Sequence, residues 1–148
     1  QVENVYVIRY ENINPHGRLF GGQLVSWIDE VAGACAGRHT GLSVTTASID
    51  NLTFKRGAFL ADRLVLLARM TYVGRTSCEV RVDSYIEDKD GFRHAINRAY
   101  LIYVAIDENG TPISIPYGLE INTVAEKARW DGALLRREYR KNRKNMGF

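Results

Sequence analysis

Asn14-Pro-His-Gly-Arg-Leu-Phe-Gly-Gly-Gln-Leu-Val-Ser-Trp-Ile-Asp-Glu-Val-Ala-Gly33 is the stretch on which the reading of this fold turns. Its first half belongs to a loop, Glu11 to Gly22, rich in the Asn, Gly and Pro residues that favour turns over regular structure. Its second half opens a run from Gln23 to Arg38. There Leu24, Ile28, Val31 and Cys35 recur at helical spacing, with Trp27 and Ala32 beside them.

Upstream, Val5 to Tyr10 (Val-Tyr-Val-Ile-Arg-Tyr) reads as a first strand. Downstream the texture turns to β after Gly41, with strands predicted over Val44–Phe54, Leu64–Tyr72, Ser77–Ile86 and His94–Ile106. Gly74, Asp90-Gly91 and Asn109-Gly110 punctuate them as turns. Thr123 to Lys144 predicts a closing helix. Strands joined by short connections pair antiparallel, because a parallel pair needs a long crossover. One apolar helix followed by such a sheet predicts an α+β domain with the sheet curled around the helix. Leu64-Val-Leu-Leu-Ala68 and Ala99-Tyr-Leu-Ile-Tyr-Val-Ala105 are apolar on both faces, so the face away from the helix is expected to meet a partner subunit. No repeat or linker divides the chain. Residues 1–148 read as one domain, with 123–148 as a basic C-terminal helix and tail.

The 148 residues are 45% hydrophobic, 25% charged and 10% aromatic, an ordinary globular composition. A chain of this length buries about 70% of its unfolded surface, enough for a core without metal or disulfide. No apolar run approaches the roughly 20 residues of a membrane span. Gln1-Val2-Glu3-Asn4 has neither the basic start nor the apolar stretch of a signal peptide. Cys35 and Cys78 are too few for a disulfide framework and have no CxxC partner for zinc, so a reducing cytoplasm and no metal are expected. The net charge of +3 hides an asymmetry. From Lys127 onward, eight Lys and Arg residues stand against Asp131 and Glu138, leaving the rest of the chain mildly acidic. Such a tail suits a phosphorylated ligand, a membrane surface or plain solvent. With no recognition-helix or RNP-like pattern, nucleic acid is not an expected partner.

Gly21 and Gly22 stand at the helix start without side chains to shield the first free backbone N–H groups. Those donors suit an anion or a developing oxyanion. With Leu24 as origin and about 100° per residue, Asp29 falls at about 140° and Gly22 at about 160°, while Glu30 at about 240° points away. Ala36 and Gly33 flank Asp29, so it borders the apolar stripe where a crevice can form. A partly desolvated carboxylate there suits a general base or a nucleophile. Two glycines can equally make only a tight turn, and a boundary aspartate can be only a solvated charge. The seven residues between the pair span about 10 Å, too far for one chain to present both to a single carbonyl. Two such helices, antiparallel across a two-fold axis, would bring Gly22 of one opposite Asp29 of the other. A homodimer is therefore the expected minimal unit. Gly-x-Ser-x-Gly is absent, and His16, His39 and His94 are scattered. Of these, His16 lies beside the donors and is the one placed to touch substrate. The Asn14 amide can order the loop or position a water.

The segment Asn14–Gly22 followed by Trp27-Ile-Asp-Glu-Val-Ala-Gly33 resembles the signature of the hotdog-fold acyl-CoA thioesterases, the acyl-CoA hydrolase family. The similarity continues through Val44-Thr-Thr-Ala-Ser-Ile-Asp50, Phe54-Lys55, Tyr72-Val-Gly-Arg-Thr-Ser77 and Val104-Ala-Ile-Asp107, covering roughly residues 5 to 120. One departure is Gly57, where members of the family often have proline. The resemblance implies hydrolysis of acyl-CoA to a free carboxylic acid and CoA. In that scheme Asp29 is the catalytic carboxylate, the Gly22 N–H of the partner chain is the carbonyl donor, and Asn14 lies beside them. Gly21, His16, Phe54 and Lys55, with the Gly74-Arg75-Thr76-Ser77 turn, would line the CoA groove. No cofactor is implied, and a homodimer assembling further into a hexamer or tetramer is. Two other readings share the fold: a non-catalytic acyl-CoA-binding protein, expected to lack the helix carboxylate, and an enoyl-CoA hydratase or dehydratase, which needs a His beside it.

Overall fold

The computed structural model describes residues 1–50 and 52–148. Strand β1 (Val2–Val7) is followed by a single 3-10 turn (Tyr10–Asn12), helix α1 (Gly21–Thr40), and strands β2 (Ser43–Asp50), β3 (Arg63–Val73), β4 (Ser77–Glu87) and β5 (Arg93–Ile106); helix α2 (Val124–Asn145) closes the chain. The strands form one sheet in the order β1-β3-β4-β5-β2, every neighbouring pair antiparallel. The α+β architecture expected from the sequence is the one observed.

Helix α1 lies across the concave face. Leu24, Ile28, Val31, Ala32, Cys35 and Ala36 are buried against Leu64, Leu66, Val80, Val82, Ala99 and Leu101 of the three central strands. Alternation along each strand puts every second side chain on that face. The helix stops at Gly41, whose φ of 68° is the left-handed conformation glycine adopts without cost, and its N–H returns to the Gly37 carbonyl.

The element boundaries that differ most from the sequence reading, by two or more residues at one end or both, are those of β1, β2 and α1. The first strand is Val2–Val7 rather than Val5–Tyr10, because Tyr10 turns into the 3-10 segment and the Ile8 N–H bonds the Asp62 carbonyl outside the ladder. Strand β2 ends at Asp50 rather than running to Phe54, and Asn51, within that predicted span, lies outside the described residues. Helix α1 begins two residues earlier than the periodicity suggested, at Gly21.

The outer face of the sheet is covered within the same chain rather than left wholly to a partner. Thr123 caps α2 by accepting the Glu126 N–H, and the helix then lies over the outer side of the central strands. Trp130 packs on Tyr72 with ring centroids 4.6 Å apart, and the Arg136 guanidinium sits 3.6 Å over the Tyr100 ring. The basic tail is thus not simply solvated. Arg136 and Arg140 pair with Glu79, and Arg140 and Arg143 with Asp50.

Candidate active site

The loop before α1 is ordered by Asn14. Its Oδ1 accepts the N–H groups of His16 and Arg18 at 2.9 and 3.1 Å, and its backbone bonds Arg18 and Gly17. The same loop delivers Phe20 to the helix N-cap with no side-chain cap, its own N–H held by the Asn12 carbonyl. Gln23 and Leu24 both donate to the Phe20 carbonyl, leaving the N–H groups of Gly21 and Gly22 ahead of the first helical bond. A Cβ added at Gly22 would lie 2.7 Å from the Phe20 ring, so the ring's position depends on glycine there.

A cleft of about 350 Å³ opens at this helix end. Asn14, Gly21, Phe54 and Lys55 line it, together with Arg18 and Arg56, over an apolar floor that includes Leu19, Leu24 and Ile96. His16 is exposed on the loop outside this lining.

Two turns along α1, Asp29 is half-buried. Its Oδ1 accepts the Thr46 hydroxyl at 2.8 Å and the Tyr103 hydroxyl at 2.5 Å. Thr46 on β2 and Tyr103 on β5 are direct partners in the antiparallel register, so both side chains rise on the helix side of the sheet. Burial, then the hydrogen bond and charge of Asp29, push the Tyr103 hydroxyl above the ordinary phenol range, and it stays a donor throughout the neutral range. Glu30, the next residue, is exposed, and its carboxylate accepts the Tyr6 hydroxyl, its one hydrogen-bond partner among the described residues.

The Gly74–Ser77 turn, expected from sequence to line the CoA groove, sits elsewhere. Ser77 pairs with Val104 near the Ser43–Ile106 end of the sheet, where α1 terminates, so the Gly74–Ser77 turn lies at the opposite end of the helix from Gly22. Within that turn the Gly74 N–H is already bonded to the Ser77 carbonyl at 2.7 Å, and the Arg75 carbonyl holds the Ile115 N–H. One of the N–H groups expected to be free for phosphate is therefore occupied, while the Arg75 side chain is exposed. One chain brings Asn14, Gly21, Phe54 and Lys55 into one cleft, while Gly22, the next helical residue, is exposed outside its lining. Asp29 stands apart, and the turn lies farther still. Thr46 and Tyr103 are the site residues the sequence reading missed.

No group of three or more His, Cys, Asp or Glu side chains is arranged to hold a metal ion among the described residues. No helix among them is long and apolar enough to cross a membrane.

One long helix wrapped by an antiparallel sheet is the hotdog fold of known acyl-CoA hydrolases. Residues 16–91 match the thioesterase superfamily, and the chain belongs to that family. It is 36% identical over 132 residues to the acyl-CoA thioester hydrolase YkhA of Bacillus subtilis, which spans 88% of this chain and 76% of that one. Among solved structures it is similar to the acyl-CoA hydrolase of Staphylococcus aureus in complex with butyryl-CoA, CoA and CoA disulfide. The TM-score is 0.87 and the identity 32%, over 97% of this chain and 88% of that one. Variants of the S. aureus protein with an aspartate, an asparagine or a threonine changed to alanine are also solved, the asparagine variant with CoA bound. A hexameric acyl-CoA thioesterase aligns with a TM-score of 0.87 at 34% identity, covering 96% of this chain and 91% of that one.

Proposed function

We propose that this chain is an acyl-CoA thioester hydrolase whose working site is shared between two copies. The observation that carries the reading is the helix itself. Its uncapped N-terminus offers backbone donors, and two turns on it presents a carboxylate with one oxygen held by two hydroxyls and the other unpartnered among the described residues. The replaced asparagine and aspartate of the S. aureus variants are 15 residues apart, and the aspartate and threonine 17. Asn14, Asp29 and Thr46 have the same two spacings.

In this scheme the thioester carbonyl oxygen rests on the Gly22 N–H of one copy, which stabilises the oxyanion as it forms. Asp29 of the other copy acts as general base or as nucleophile. As a base it takes a proton from water while the water oxygen bonds the carbonyl carbon. The carbon–sulfur bond then breaks, the sulfur leaves as the CoA thiol with that proton, and the acyl group leaves as the acid. Asn14 orders the loop that sets the donors. Strand β2, at one edge of the sheet with Thr45 and Thr46 exposed, offers a place for the second copy alongside Asp29. CoA reaches the cleft of Asn14, Gly21, Phe54 and Lys55, where Arg18, Lys55 and Arg56 supply cations for its phosphates. Two buried free thiols fit a reducing cytoplasm.

Release of free thiol from acetyl-CoA and palmitoyl-CoA tests the reading, with Asp29→Asn as the decisive variant. Turnover should fall at least about 100-fold while affinity for acyl-CoA stays within a few-fold. Glu30→Gln should behave as wild type. An Asp29→Asn protein that keeps most of its turnover would remove the carboxylate from the mechanism. No thiol release from any acyl-CoA, with binding intact, would favour a non-catalytic acyl-CoA-binding protein.

A further inference from the structure

The carboxylate of Asp29 is held asymmetrically, and most of the asymmetry comes from a residue outside every motif in the sequence. Tyr103 is 2% exposed, in the core between β5 and α1. Its ring passes beside Gly33, one turn after Asp29, where an added Cβ would come to 3.8 Å from both the ring edge and the hydroxyl. That approach lets the hydroxyl reach the helix. Its oxygen lies 2.5 Å from Asp29 Oδ1 and 2.9 Å from the Asp29 backbone carbonyl. A hydroxyl has one proton, and the shorter contact, to the carboxyl oxygen rather than the backbone carbonyl, is where it goes. Thr46 donates to the same Oδ1 at 2.8 Å. Two donors thus converge on one oxygen and none on the other among the described residues. Thr46 is exposed on an edge strand, whereas Tyr103 is locked in the core, so Tyr103 is the donor whose position the fold dictates.

We infer that Tyr103 is a positioning residue: its hydroxyl pins Oδ1 of Asp29 and thereby presents Oδ2 as the oxygen that meets the water or the thioester carbon. The inference rests on the proposed role of Asp29. Tyr103 touches neither substrate nor water in this scheme and acts only through the carboxylate, whose rotation about its last side-chain bond it stops. A carboxylate free to rotate spends less time in the reactive orientation, and such loss of alignment is read in the chemical step rather than in binding.

The test is Tyr103→Phe, which keeps the ring and removes only the buried hydroxyl, measured alone and in the Asp29→Asn background with a melting curve for each variant. In the wild-type background kcat for acyl-CoA should fall at least about tenfold, with KM within about threefold. In the Asp29→Asn background the same change should alter the residual rate by less than about threefold, because the group it acts through is gone. Thr46→Val, removing the second donor, should lower kcat further when combined with Tyr103→Phe. The inference is overturned if Tyr103→Phe keeps kcat within about threefold of wild type while Asp29→Asn is inactive. It is also overturned if Tyr103→Phe lowers the rate by the same factor in both backgrounds, which is the signature of general structural damage. If Asp29→Asn itself stays active, the proposed function fails first and this inference goes with it.

Discussion

Replacing Arg136 with methionine would strand a charge in the interior of the sheet–helix interface. Glu79 is 0% exposed on β4, and its two oxygens are matched one by one. Oε1 accepts from the Thr71 hydroxyl at 2.6 Å and from Arg136 Nη2 at 2.7 Å; Oε2 accepts from Arg136 Nε at 3.0 Å, with Arg140 farther off at 3.4 Å. The fork-on-carboxylate geometry makes Arg136 the principal partner. Removing one member of such a buried pair costs about 3–5 kcal/mol, since the remaining charge keeps its desolvation penalty without its partner. Arg140 can move in to replace part of the loss, which argues for the lower end, about 3 kcal/mol. At about 2–4 °C per kcal/mol for a chain of this size, Arg136→Met should lower Tm by about 6–12 °C. Urea titration at fixed protein concentration reads this directly, with Trp130 fluorescence reporting α2 in a Trp27→Phe background. The double change Glu79→Gln with Arg136→Met should recover much of the loss, because a neutral pair leaves no buried charge. A loss under about 1 kcal/mol for Arg136→Met would refute the reasoning and reduce the pair to an ordinary surface ion pair.

Three further outcomes are expected. Co-refolding Asp29→Asn with Gly22→Pro, each nearly inactive alone, should restore about a quarter of wild-type activity per subunit: half the randomly mixed dimers are hybrids, and each hybrid has one intact pair. Circular dichroism must show the proline variant folded, since any side chain at position 22 must move the Phe20 ring; if both parents fold and mix without recovery, the shared site is wrong. Lys55→Ala, in the cleft, should raise KM for acyl-CoA more than it lowers kcat and should matter less for a short pantetheine thioester; equal losses on both substrates would make Lys55 structural. Burial, and then the neighbouring Cys35, push the Cys78 thiol up to about 12, and burial raises Cys35 as well. A disulfide thiol reagent at pH 8 should therefore label neither cysteine in the folded protein and both in denaturant, and labelling of Cys78 at the rate of a free thiol would contradict the packing.

The period of apolar residues in Gln23–Arg38 and the alternation after Gly41 were enough to determine one helix, an antiparallel sheet and the α+β class, because both patterns report which local face is buried. The glycine pair and Asp29 could be placed on one side of one helix for the same reason: helical geometry is a local rule. What the sequence could not decide were contacts made at long range. Thr46 and Tyr103 are 57 residues apart and become neighbours only through the β2–β5 register, which a bulge after Thr46 shifts by one residue. Their partner Asp29 lies on a third element. Alternation alone cannot say which strand lies beside which, so neither hydroxyl could be assigned to the carboxylate. The C-terminal helix teaches the same lesson. Its charges read as a basic tail suited to a phosphorylated ligand, a membrane surface or plain solvent, until tertiary structure put the fully buried Glu79 of β4 against Arg136. Local patterns settle what each segment becomes; the pairing of strands, and the burial of a charge that only its distant partner makes tolerable, belong to the tertiary structure.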